Sequence, residues 1–189
     1  MSHEIKSYSK VAVLYGGSSS EREISLITGK AVFDSLKLKG VNAILIDTIE
    51  PFIEVLKTEE VSHAWIALHG SDGEDGKIQS ILRMLNIKHT GSDPITCSIT
   101  MNKYFTKSIL QLNGFKTPEY MVVGSSTKYE DIVNKLSEPF VLKQCSEGSS
   151  IGIFMIESRE QYSVHFSEIV KNNDWIIAEQ FMKGDEYTS

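Results

Sequence analysis

Several things are scarce in this sequence. Of its 189 residues only two are cysteine, Cys97 and Cys145, four are proline and two are tryptophan. The cysteines are too far apart for a metal or redox motif, there are too few for a disulfide scaffold, and no signal peptide precedes them. They therefore suggest a reduced, cytoplasmic chain. Long apolar runs are missing too: stretches such as Ala64 to Leu68 are far too short to span a bilayer, so no membrane association is expected. Positive charge is the minority, 19 Lys plus Arg against 25 Asp plus Glu, a net charge of −6. With no basic field to attract a polyanion, nucleic acid is not an expected partner, although local lysines and backbone amides leave room for a small anion. What remains is 41% hydrophobic, 9% aromatic and 23% charged, an ordinary globular composition that excludes collagen-like and disordered readings. The length allows one large domain or two small ones, burying about 70% of the unfolded surface.

Met1 to Lys10 is a polar lead-in, followed by the apolar run Val11-Ala12-Val13-Leu14-Tyr15, which ends at Gly16-Gly17 and predicts a buried parallel strand entering a tight turn. Ser20 and Glu23 stand at capping-box spacing, and Ile24, Ile27, Ala31, Val32 and Leu36 recur at helical intervals up to Gly40. Apolar runs over 41–46 and 64–68 alternate with helical stretches, as in a parallel sheet with right-handed crossovers. After Gly91-Ser92-Asp93-Pro94, the expected domain boundary, the pattern changes. A helix is predicted over 95–112, a strand over 120–123, a helix over 129–136, and two strands, 140–143 and 151–156, joined by a small-residue loop as in a hairpin. A helix over 159–170 and a strand over 175–178 follow.

Four segments could carry chemistry. Gly16-Gly17-Ser18-Ser19-Ser20-Glu21-Arg22-Glu23 lies at a strand-to-helix junction, where ligands of open α/β sheets gather. It lacks the G-x-G-x-x-G spacing, which disfavours a dinucleotide and hence a nicotinamide-dependent dehydrogenase. Glu21 could hold an ammonium group, or it could serve only the helix dipole. His69-Gly70-Ser71-Asp72-Gly73-Glu74-Asp75-Gly76 follows another strand; it does not match a calcium loop, Asp75 is a natural cap for the next helix, and His69 suits a site or a structural role equally. Lys143 precedes Ser146-Glu147-Gly148-Ser149-Ser150-Ile151-Gly152, which is not a P-loop but suits a flap over phosphates as well as it suits a plain flexible hairpin. Finally, Glu179-Gln180-Phe181-Met182 with Glu186 could offer backbone groups to an adenine edge and a carboxylate to ribose, or could be ordinary solvated surface. Cys145 has no histidine base in its own segment and makes a poor nucleophile.

Taken in order, these segments resemble the N-terminal and central parts of D-alanine:D-alanine ligase, an ATP-grasp family of peptidoglycan precursor synthesis. The resemblance runs from about Val11 to Thr188, through Leu14-Tyr15-Gly16-Gly17, Glu21-Arg22-Glu23-Ile24-Ser25-Leu26, Ala67-Leu68-His69-Gly70, Gly73-Glu74-Asp75-Gly76, Thr90-Gly91-Ser92, Met101-Asn102-Lys103, Val141-Leu142-Lys143 and Glu147-Gly148-Ser149-Ser150-Ile151-Gly152. It implies an α/β fold: a small open parallel-sheet (pre-ATP-grasp) domain over 1–91, then the α+β first lobe of an ATP-grasp domain over 92–189, without the C-terminal lobe. By the same resemblance, Glu21 would bind the first D-alanine's ammonium in a network with Ser149, and His69 would lie near that substrate and the transferred phosphate. Lys103 and Lys143 would contact ATP phosphates, Glu147, Gly148, Ser149 and Ser150 would form the flap, Glu179, Gln180, Phe181 and Met182 would meet adenine, and Glu186 the ribose.

The implied reaction makes an acyl phosphate from ATP and one D-alanine, then the dipeptide, in the service of cell-wall synthesis and cell shape. The family's Mg2+ ligands, its intermediate-steadying arginine and its second-substrate site lie in a C-terminal segment that carries a Pro-Gly turn. Here none of Pro51, Pro94, Pro118 and Pro139 precedes glycine. The expectation is thus a front portion without a metal site, inactive alone, from a homodimeric cytoplasmic enzyme. Gln144-Cys145-Ser146 departs from the Pro-Ser-Arg of many relatives, which bears on flap stiffness and an arginine contact. Two other readings share the same residues: a non-catalytic nucleotide-binding module, and an ATP-grasp ligase for a different amino acid.

Overall fold

A computed structural model describes residues 10–146, 148, 152–170, 175–185 and 187. The chain divides into two compact units, Met1–Ser98 and Ile99–Ser189.

The first unit is built on a four-stranded parallel sheet in the order β2-β1-β3-β4, with β1 Val11–Tyr15, β2 Ala43–Asp47, β3 His63–Ile66 and β4 Lys88–His89. The expected strands over 41–46 and 64–68 are displaced by one or two residues, and β4 is a two-residue strand with no apolar run to announce it. Between the strands lie α1 Arg22–Leu38, α2 Phe52–Thr58 and α3 Lys77–Met84, and α4 Pro94–Met101 follows β4. One sheet face supplies Ala12, Leu14, Ile46 and Ala64 to a core closed by Leu56 of α2 and by Ile78 and Leu82 of α3. Strand alternation fixes this choice, because successive side chains point to opposite faces. On the other face α1 lies against β1 and β2, and Ser25 reaches down to donate to the Ala67 carbonyl at 2.7 Å.

The second unit holds an antiparallel sheet in the order β5-β8-β6-β7: β5 Tyr120–Val123, β6 Phe140–Gln144, β7 Ile153–Ile156 and β8 Ile176–Gln180. The expected hairpin is the β6–β7 pair. Phe140, Leu142, Ile156, Ile176 and Ala178 share one face and form the core with Ile132 and Leu136 of α6 Tyr129–Leu136 and with Tyr162 and Ile169 of α7 Arg159–Ile169. The register Val141↔Glu179 and Lys143↔Ile177 sends the alternate set, Tyr120, Val122, Lys143, Glu179, Ile153 and Met155, to the opposite face. There Val122, Ile153 and Met155 remain exposed.

One helix expected over 95–112 is in fact two, α4 and α5 Lys103–Leu112. The break is Asn102, which is extended and accepts hydrogen bonds from the Tyr104 and Phe105 amides at 3.0 and 3.2 Å. A side chain that satisfies the free N–H groups of a new first turn is favoured over continuing the old helix.

Candidate functional site

In the first unit, the expected loops both leave the carboxyl edge of adjacent parallel strands, β1 and β3, which is the usual ligand edge of an open sheet. The Gly16-Gly17 turn is anchored by Asp47 at the end of β2. The Asp47 carboxylate accepts from the Gly17 and Ile49 amides, each at 3.1 Å, and takes the Arg22 guanidinium in a two-pronged pair at 3.0 and 2.6 Å. Arg22 also donates to the Gly17 carbonyl at 2.8 Å. Its hydrogen bond to Asp47 is the main reason that carboxyl is held down at about 2, against the opposing effect of burial. Gly16 is left-handed (φ 71), and a Cβ there would lie 2.4 Å from Asp47 Oδ1. The anchor therefore requires glycine.

Glu21 precedes α1 as its N-cap residue, with no side-chain cap bond, and the Ser20/Glu23 capping box is not formed. Its place is taken by Ser19, whose hydroxyl donates to the His69 carbonyl at 2.7 Å and accepts from the Glu21 amide at 3.2 Å. Ser19 thus ties the two loops together, and a bond across loops outweighs a local cap. Gly70 is left-handed (φ 70), and a Cβ on it would come within 2.8 Å of Glu21 Oε2. Glu21, Ser19 and His69-Gly70 are therefore one cluster. The His69 ring meets Thr28 Oγ1 at 3.2 Å through Nε2 and faces Glu74 at 3.9 Å through Nδ1. Asp75 accepts from the Lys77 amide at 3.1 Å, at the start of α3, and pairs with the Lys77 ammonium at 3.0 Å.

In the second unit, Lys143 and Glu179 form an ion pair on the open face of the antiparallel sheet. Sequence reasoning missed a third member. Lys107 of α5 contacts the other Glu179 oxygen at 2.7 Å, hydrogen-bonds Thr117 and stands 5.0 Å from the centre of the Tyr120 ring. Only 8% of its side chain is exposed, against 22% for Lys143 and 12% for Glu179. Burial alone would push the Glu179 carboxyl up, but the hydrogen bonds from Lys107 and Lys143 outweigh it and hold the group below the usual carboxylate range. One signal for Lys107 was present: it follows Lys103 by four positions on one helix, a repulsive pair that an acid from elsewhere relieves.

The Lys103 amide donates to the Cys145 carbonyl at 2.9 Å, which joins the start of α5 to the segment after β6. Cys145 is fully buried, and its own amide donates to the Trp175 carbonyl at 2.8 Å. Gln144 is buried as well, so this departure from Pro-Ser-Arg places two of its three residues in the interior. Gln180 continues β8 and donates from its amide to the Glu119 carbonyl at 2.9 Å, with Phe181 and Met182 exposed just beyond. Gly148 is half-buried, while Glu147, Ser149, Ser150 and Glu186 lie outside the described residues. Among the described residues no group of three or more His, Cys, Asp or Glu is placed to hold a metal ion, and no helix is long and apolar enough to cross a membrane.

Residues 109–189 match a family model described as the D-ala D-ala ligase C-terminus. Over 185 residues the chain is 37% identical to the D-alanine-D-alanine ligase of Pseudomonas putida strain GB-1, covering 98% of this chain and 58% of the relative. It is 40% identical over 179 residues to that of Albidiferax ferrireducens, covering 95% and 52%. The crystal structure of a Bacillus anthracis D-alanine-D-alanine ligase superposes with a TM-score of 0.83 at 29% identity, covering 93% of this chain and 58% of that one. The structure of the Bacillus anthracis ligase complexed with ATP superposes with a TM-score of 0.81 at 27% identity. The chain therefore spans a little over half the length of these relatives.

Proposed function

We propose, from the chain's membership of the D-alanine-D-alanine ligase family as a partial chain, that its first unit holds an amino acid and its second holds ATP for ligation of two D-alanines. The observation that carries this reading is the Lys143–Glu179 pair on a sheet face with exposed apolar neighbours. An ammonium suits phosphate, a carboxylate accepts from an exocyclic amine, and Val122, Ile153 and Met155 offer apolar surface to a purine. The Bacillus anthracis relative complexed with ATP supports the same assignment.

In this reading Glu21 accepts hydrogen bonds from the first D-alanine's ammonium, with Ser149 in the same network, and His69 lies near the transferred phosphate. Lys103, Lys143 and the flap from Glu147 to Ser150 take the phosphates, the Glu179 to Met182 segment takes adenine, and Glu186 takes ribose. The carboxylate of the first D-alanine attacks the γ-phosphorus, releasing ADP and leaving an acyl phosphate. The amine of the second then attacks the acyl carbon, phosphate departs and a proton is lost from nitrogen. A divalent cation would neutralise phosphate charge, but the described residues supply no ligand set for one.

We also place the protein in the cytoplasm, serving cell-wall synthesis, as a homodimer formed through the first unit, where Ile24, Ile27 and Trp65 are exposed. Incubating the full-length gene product with ATP, magnesium and D-alanine tests the reading. Phosphate release dependent on D-alanine is expected. Release driven only by another amino acid would assign a different ATP-grasp ligase, and no release at all would refute ligation.

A further inference from the structure

The geometry points to Lys107 as a positioning residue that sets the charge of the nucleotide face: by occupying one oxygen of Glu179, it prevents that carboxylate from neutralising Lys143. The inference rests on the nucleotide reading of that face and adds a residue with no ligand contact of its own.

Glu179 is a single negative charge with two lysine partners, Lys107 on Oε2 at 2.7 Å and Lys143 on Oε1. Were Lys143 its only partner, the two would cancel and an approaching phosphate would meet a neutral pair. With Lys107 included the cluster carries a net charge of +1. The member open to a ligand is Lys143, since Lys107 is nearly enclosed. Lys107 is itself fixed by Thr117 and by the face of the Tyr120 ring. Burying an ammonium costs more than burying an apolar side chain of similar size. A hydrogen-bond donor alone would have sufficed to orient Glu179, so what lysine adds at this position is its charge.

That distinction is measurable. Lys107→Gln keeps a donor toward Glu179 but removes the charge, whereas Lys107→Arg keeps the charge. Calorimetric titration of the full chain with inorganic tripolyphosphate, which probes the anion site without adenine, should show about tenfold or greater weakening for K107Q and less than about threefold for K107R. The double variant K107Q/E179Q removes both members of the pair. It should bind within about threefold of the unmodified chain, because Lys143 is then unopposed. It also leaves no unpaired buried charge, so it remains informative should K107Q alone fail to fold, as judged by circular dichroism. K107Q binding like the unmodified chain, or a tenfold loss persisting in the double variant, overturns the inference. A parallel titration of the unmodified chain with ATP separates the two ideas. Tripolyphosphate bound without ATP removes the nucleotide reading and leaves the charge assignment to be decided by the variants, whereas neither ligand binding overturns both.

Discussion

The two units hold their candidate residues by different means. In the first, Glu21, Ser19 and His69-Gly70 sit on loops at a sheet's edge, held by hydrogen bonds between the Ser19 hydroxyl and the backbone and by ion pairs near solvent such as Arg22–Asp47 and Lys77–Asp75. In the second, Lys107, Lys143 and Glu179 come from a helix and two strands and meet on a sheet face as largely buried charges. A loop site depends on chain conformation, so its weak points are glycines and turns. A charge cluster depends on having every partner present, because a buried ion left alone costs far more than the pair contributes.

The sharpest break in this contrast comes from Glu179→Ala, which strands Lys107 and should destabilise the second unit by about 3 to 5 kcal/mol. The two tryptophans allow each unit to be followed separately, since Trp65 lies in the first and Trp175 in the second. Urea unfolding of E179A in a W65F background should show the loss, and in a W175F background should not. Equal losses in both would mean that the units do not unfold independently. Next, Gly16→Ala should cost the first unit about 2 kcal/mol, from left-handed strain and from displacing Asp47, read by Trp65 in the same way. Acid gives a smaller effect. Because the folded Asp47 carboxyl is held at about 2, its contribution is complete above its ordinary value near 4 and drains away as pH falls through about 2. It amounts to about 1 to 2 kcal/mol after solvent screening. Asp47→Asn should flatten the first unit's stability between pH 4 and 2. The smallest change is Asn102→Ala, which removes the α5 cap and should cost the second unit about 1 kcal/mol, visible as a lowered urea midpoint for Trp175 fluorescence.

The same contrast explains what could be read from the sequence. The first unit's parts are contiguous: Gly16-Gly17 ends an apolar run, and His69-Gly70 ends another. Strand, turn and candidate residue therefore appear together. The Ser20/Glu23 spacing does not announce the part Ser19 plays, because capping-box spacing is a local rule, whereas the partner of the Ser19 hydroxyl, the His69 carbonyl, is far away in sequence. In the second unit Lys143 and Glu179 could be singled out one at a time, yet their pairing depends on the β6–β8 register, which no local pattern states. For Lys107 the spacing from Lys103 hints at a missing acid but does not name Glu179, which only the fold brings to it. The single helix expected over 95–112 failed for a similar reason, since apolar periodicity continues across Asn102 while its side chain starts a new first turn.

The order β5-β8-β6-β7 also bears on how the protein emerges from the ribosome. In the first sheet β1 pairs with β2 and then with β3, and β4 joins that outer edge, so the sheet grows outward as synthesis proceeds. In the second, β6 and β7 can pair early, but β8 is an interior strand, seated between β5 and β6, and is the last of the four to be made. Until Ile176 to Gln180 leave the exit tunnel, β5 lacks its partner β8 and Lys107 lacks Glu179. A nascent chain paused before that strand should hold a finished first unit beside an open-edged hairpin, the kind of intermediate that chaperones engage.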